Sequence, residues 1–73
     1  MREVVVHGVN RHFKGNYYFV DGIAVHSETG ERYVVYRQLY GERQLYIRPE
    51  EMFLSEADPA RSGGQKYRFE LVH

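Results

Sequence analysis

The sequence predicts an all-β domain: a small SH3-like barrel of five to six short strands, with one short helical turn before the last strand. Three observations point to it. Tyr17 to Ile47 is dense in Tyr, Val, Ile and Phe and broken at short intervals by turn residues. Lys66 to Val72 alternates with period two, Tyr67, Phe69 and Leu71 on one side and Lys66, Arg68 and Glu70 on the other. Between them, Arg48-Pro49-Glu50-Glu51-Met52-Phe53 places proline and acidic residues where a short helix begins. A small α+β sheet is the alternative arrangement of the same elements.

Taken in order, Val4 to Val6 and Arg11 to Lys14 are each expected as a short strand, parted by Gly8 and followed by a Gly15-Asn16 turn. Three strands follow within Tyr17 to Ile47. Ser27-Glu28-Thr29-Gly30-Glu31 suits a hairpin with a three-residue loop and Gly30 left-handed, and Gly41-Glu42 suits a two-residue turn. These turns set an expected register. His26 faces Arg32, Ala24 faces Val34 and Gly22 faces Tyr36, while Tyr36 faces Ile47 and Gln38 faces Leu45. One face then holds Val20, Gly22, Ala24, Val34, Tyr36, Leu45 and Ile47 as core, joined by Phe69 and Leu71. The other holds Asp21, Arg37, Tyr46 and Arg48 among Ile23, Val25, Tyr33 and Val35. Gly22 is also a candidate bulge, where a shift of one residue would exchange the faces upstream of it. Asp58 to Gln65 reads as a polar loop with no apolar anchor and no function.

With 73 residues and no Pro, Gly or Ser linker, the chain reads as one domain, residues 1-73. A core this small needs help from aromatic packing, a ligand or self-association, and seven Tyr and four Phe answer that need. The absence of Cys excludes disulfides and thiolate-bound zinc, and makes the cytoplasm the default location. No apolar run is long enough for a signal peptide or a membrane span. Ten basic residues balance ten acidic ones, so counterion release has little to work with and nucleic acid is a disfavoured partner.

Arg11-His12-Phe13-Lys14-Gly15-Asn16-Tyr17-Tyr18, Gly22-Ile23-Ala24, His26-Ser27-Glu28-Thr29-Gly30, Val35-Tyr36, Leu39-Tyr40-Gly41, the Arg48 to Phe53 block and Arg68-Phe69-Glu70 follow one another in an order. Together they resemble the bacterial family catalogued as domain of unknown function 1653, over Arg11 to about Leu71. The resemblance implies one compact bacterial domain and carries no assigned activity, cofactor or ligand. The family pattern has proline before the Arg-Phe-Glu element, where this chain has Lys66-Tyr67.

His12, His26 and Glu28 are the ingredients for acid-base or metal chemistry, yet no HxH, HxxxH or HExxH spacing holds two imidazoles toward one ion. Ser27, Ser55 and Ser62 lie in turn-like or strand-end contexts unlike a nucleophile elbow. The adjacent Glu50 and Glu51 complement a helix start. No catalytic residue, metal ligand or cofactor is therefore assigned. Arg11, His12, Phe13, Lys14, Tyr17, Tyr18, Arg37, Tyr40, Arg43, Tyr46 and Arg48 interleave cations with aromatics, the more informative pattern, because flat rings beside guanidinium groups stack bases, sugars or peptide side chains. The same alternation also stabilises a sheet without any ligand. The ligand-binding candidates are Arg37, Tyr46, Arg48, His12, Lys14 and Tyr17. The expected role is a non-catalytic binding or accessory module with a protein or peptide partner. An enzyme or metal site around His12, His26 and Glu28 is the first alternative, and a structural homodimer the second.

Overall fold

Short runs of β-branched and aromatic residues separated by glycine-bearing turns favour antiparallel pairing of neighbours in sequence. The computed structural model, which describes residues 2–73, follows that rule for four strands and then departs from it. In chain order the elements are β1 (Val9–His12), β2 (Tyr17–Val25), β3 (Arg32–Gln38), β4 (Leu45–Pro49), α1 (Glu50–Phe53) and β5 (Phe69–Leu71). The sheet order is β4-β3-β2-β1-β5, antiparallel at every pairing. The last strand thus returns to the far side of the first. The fold is mostly β, with five strands and one short helix, but β4 and β5 remain edges. The sheet does not close, so the expected SH3-like barrel is not confirmed.

Val4 to Val6 form no strand; Gly8 donates to the Val5 carbonyl at 3.0 Å in a tight turn, and His7 takes a left-handed φ of 69°. The helix begins after Pro49, as the sequence requires, with Glu50 and Glu51 in its first turn. The chain leaving α1 then pairs with the approach to β5. Arg68 donates to the Ser55 carbonyl at 2.9 Å, Ala57 donates to the Lys66 carbonyl at 2.8 Å, and Glu56 bridges Tyr67. The loop from Asp58 to Gln65 is anchored by polar contacts that the sequence did not suggest. Ser62 is buried, and the Gln65 amide donates to the Arg11 and Tyr67 carbonyls.

The register differs from expectation by one residue in both hairpins. Val20 pairs with Tyr36 and Gly22 with Val35, leaving Asp21 as the extra residue of a bulge. Beyond it, Ile23 faces Val34 and Ala24 faces Tyr33. The second turn is longer than two residues. Gly41 and Arg43 are both left-handed, and Gln38 donates to the Gln44 carbonyl, so Tyr36 faces Tyr46 and Arg37 faces Leu45. A slip of one residue moves a whole strand's side chains to the other face.

Gly22, Ala24, Leu45 and Ile47 therefore leave the expected core, Ile47 being 64% exposed. Leu71, at the chain end of β5, is 50% exposed and leaves it too. Val20, Val34, Tyr36 and Phe69 remain, joined by Phe53 and flanked by Val4, Tyr18, Ile23 and Leu54. Ile23, Tyr46 and Arg48 come over to their side of the sheet.

Candidate functional site

Directly opposed residues in antiparallel strands share a face. The pairs Asn10 with Tyr18, His12 with Phe69, Tyr36 with Tyr46 and Val34 with Arg48 therefore collect aromatic and basic side chains on the core side of all five strands. The rings pack mainly edge to face. Tyr18 lies 5.5 Å from Tyr36 and 5.6 Å from Phe69, and His12 lies 4.9 Å from Phe69, between ring centroids. Away from the buried centre, Tyr46 tilts against Tyr36 at 5.8 Å and remains 40% exposed.

Polar groups on these rings are partly tied to one another. Arg48 donates through Nε to the Tyr36 hydroxyl at 3.1 Å, and its guanidinium carbon stands 5.9 Å from the Phe69 ring centre. The Tyr18 and Tyr40 hydroxyls are 2.8 Å apart. Burial, then the bond to Tyr40, pushes the Tyr18 phenol well above its ordinary range; the same bond pulls Tyr40 down. Tyr18 thus keeps its proton, and the two hydroxyls share one hydrogen bond.

His12 is held on Nδ1, which accepts the Lys14 backbone N–H at 3.1 Å, so the neutral ring carries its proton on Nε2. Its pKa is lowered from 6.5 to about 4, first by burial and then by the positive charges of Arg48, Arg68 and Lys14. At neutral pH it is an uncharged donor. Among the described residues the ion pairs are Arg32 with Glu50 at 2.9 Å and Arg37 with Asp21 at 3.6 Å. Among the described residues, Arg48, Arg68 and Lys14 have no carboxylate partner within ion-pair distance.

The structure divides the ligand-binding candidates. His12, Lys14, Tyr46 and Arg48 gather around the Phe69 side of the sheet. Arg37 and Tyr17 do not, because the register places them on the opposite face. The expected face uniting Arg37, Tyr46 and Arg48 is thus corrected: Arg37 bonds the Arg43 carbonyl and pairs with Asp21, whose nearness was expected. Tyr18, Tyr36, Tyr40 and Arg68 complete the cluster; Tyr18 and Tyr40 belong to the interleaved cations and aromatics of the sequence, whereas Tyr36 and Arg68 do not. Tyr36 reads from sequence as plain core, and only the pairing with Tyr46 reveals its hydroxyl as an acceptor for Arg48.

His12 and His26 are not brought together. His12 packs on Tyr18 near the start of β2, whereas His26 follows its end. There the His26 Nδ1 accepts the Glu28 and Thr29 N–H groups and caps the turn. Among the described residues no group of three or more His, Asp or Glu side chains is placed to hold a metal ion. None of their helices is long and apolar enough to cross a membrane. A cavity of about 300 Å³ lies elsewhere, lined by Arg2, Glu3, Val4, Ile23, Arg32, Glu50 and Leu54. Its cations are already engaged: Arg32 by Glu50, and Arg2 by the Leu54 and Phe69 carbonyls. The aromatic cluster, whose cations lack such partners, is the better candidate.

A family model described as protein of unknown function (DUF1653) matches residues 8–71. The crystal structure of a DUF1653 protein from Bordetella bronchiseptica is similar to this chain at 34% identity and a TM-score of 0.75, covering 89% of this chain and 83% of that one. No curated protein matches the chain.

Proposed function

This chain belongs to the family of proteins of unknown function DUF1653, and from that membership, which carries a fold without an assigned activity, we propose that it is a non-catalytic binding or accessory module. Its working surface is the side of the sheet carrying Tyr46, Arg48 and His12. A four-strand meander, one helical turn and a last strand returning to β1 support reading the fold as a partly open relative of the SH3-like barrel.

One observation carries this reading. Arg48 is positioned by Tyr36 through Nε alone, and among the described residues its terminal nitrogens make no hydrogen bond within the chain. A guanidinium held in place over aromatic rings, with donors to spare, is suited to receive an acceptor from outside. The test is a thermal-shift ligand screen on the wild type and on the double variant Tyr46→Ala, Arg48→Ala. A ligand that stabilises the wild type and not the variant, while circular dichroism shows the variant folded, supports the reading. Equal stabilisation of both removes it.

A homodimer is the second reading, favoured by the apolar side chains on the opposite face and the β2 end, where Ile47 is 64% and Val25 58% exposed. Sizing across a range of concentrations, with Ile47→Glu as the disrupting variant, decides it.

A further inference from the structure

Positive charges that converge without acids repel one another and depress the protonation of any base among them. Elsewhere in this chain, which has no net charge, Arg32 and Arg37 each stand beside a carboxylate. Around His12 the pattern changes. Lys14, in the turn after β1, donates its backbone N–H to the His12 ring at 3.1 Å, and Arg48 of β4 stands 5.9 Å from the centre of the Phe69 ring, on which His12 packs at 4.9 Å. Arg68, in the segment leading into β5, accepts the Phe13 N–H on its carbonyl at 2.9 Å, while Tyr18 faces the His12 ring from β2. All three cations oppose protonation of that ring. Both guanidinium groups are fixed through Nε: Arg48 on the Tyr36 hydroxyl, Arg68 on the Ser55 hydroxyl at 3.2 Å. Their terminal nitrogens, the Lys14 ammonium and the His12 Nε2–H form no hydrogen bond within the described chain.

Resting on the binding face argued above, we propose that Arg48, Arg68 and Lys14, together with His12, form an oxyanion site that takes the phosphate or carboxylate group of a small ligand. Guanidinium forks match the planar and tetrahedral oxygens of those groups, and anchoring through Nε reduces the ordering cost of binding. The bound charge would offset the repulsion among the three cations. The exposed Tyr46 ring beside Arg48 offers a flat surface for the rest of the ligand.

The experiment follows the His12 imidazole by NMR while inorganic phosphate, or acetate in a parallel arm, is added to the full chain at ionic strength held constant with sodium chloride. Saturable shifts of the His12 ring and an upward move of its pKa are expected with at least one of the two anions, and the stronger one identifies the preferred group. Arg48→Gln should weaken that binding roughly tenfold, the worth of one charge-assisted hydrogen bond. Arg37→Gln, on the opposite face, should leave it unchanged. If Arg48→Gln fails to fold, the exposed Lys14→Gln takes its place with a loss in the same direction. Absence of saturable shifts with either anion overturns the proposal, as does affinity indifferent to both variants or reduced equally by Arg37→Gln. A neutral ligand that binds the wild type and is lost in the Tyr46→Ala, Arg48→Ala variant, when neither anion binds, removes the oxyanion site and leaves the binding face standing.

Discussion

Phe53 of α1 and Phe69 of β5 stack face to face, their ring centres 4.1 Å apart and their planes 6° from parallel. Each is 1% exposed. The stack joins the helix that follows one edge strand to the strand at the opposite edge. Arg48, just before that helix, and His12, paired with Phe69, are thereby drawn over the same ring. Packing and site are the same contact viewed from two sides.

Phe69→Ala should accordingly cost about 3 to 5 kcal/mol, an appreciable part of the stability of a small domain. Urea unfolding followed by circular dichroism measures it. A loss below about 1 kcal/mol would show that the stack is not the centre of the core.

Two truncations on neighbouring strands test the register. Val34, fully buried, should lose about 2 to 3 kcal/mol when cut to alanine. Ile47, facing away from the core and largely exposed, should lose less than about 1 kcal/mol. A loss at Ile47 as large as that at Val34 would restore the register read from the turns, which buries both.

Stability should fall on mild acidification, through His12. The native state keeps this imidazole neutral to about pH 4, whereas the unfolded chain takes up a proton at 6.5. Its contribution is thus complete above pH 6.5, declines as pH falls through the window, and is gone below about 4. A loss on the order of 1 to 2 kcal/mol is expected, less than the whole shift implies because the ring is partly open to solvent. Comparing wild type with His12→Gln by urea unfolding from pH 7 downward isolates this contribution from that of the carboxylates. Parallel pH profiles for the two proteins would contradict it.

Gly8→Ala should destabilise the fold even though its φ is ordinary. A methyl group there would come within 2.9 Å of the Val5 carbonyl oxygen and 2.7 Å of Leu71 Cδ1. Leu71 can yield, but the carbonyl belongs to the turn that leads into β1. A cost of about 1 to 3 kcal/mol is expected from overpacking, read as a fall in melting temperature. Gly22→Ala, with open space around the added methyl, should be nearly neutral by the same measurement.

Much of this protein could be read along the chain. The strands of Tyr17 to Ile47, the helix start at Pro49-Glu50-Glu51, the left-handed Gly30 and the burial of Val20, Val34, Tyr36 and Phe69 all follow from local preference and period-two patterning. His12, Lys14, Tyr46 and Arg48 were recognisable as cations and aromatics worth watching. Their company was not. Whether Tyr46 or Ile47 faces Tyr36 depends on one residue in the loop from Leu39 to Gln44, and whether Ile23 or Ala24 faces Val34 depends on one residue in the turn after Val25, where His26 closes on Glu31 and not on Arg32. Local preferences barely distinguish those choices, because Tyr, Ile and Val suit either side of a strand. What separates them is the burial of whole faces once α1 and β5 close against the sheet through Phe53 and Phe69. Only that long-range packing brings Arg48, Arg68 and Lys14 around one histidine and leaves Arg37 on the far side.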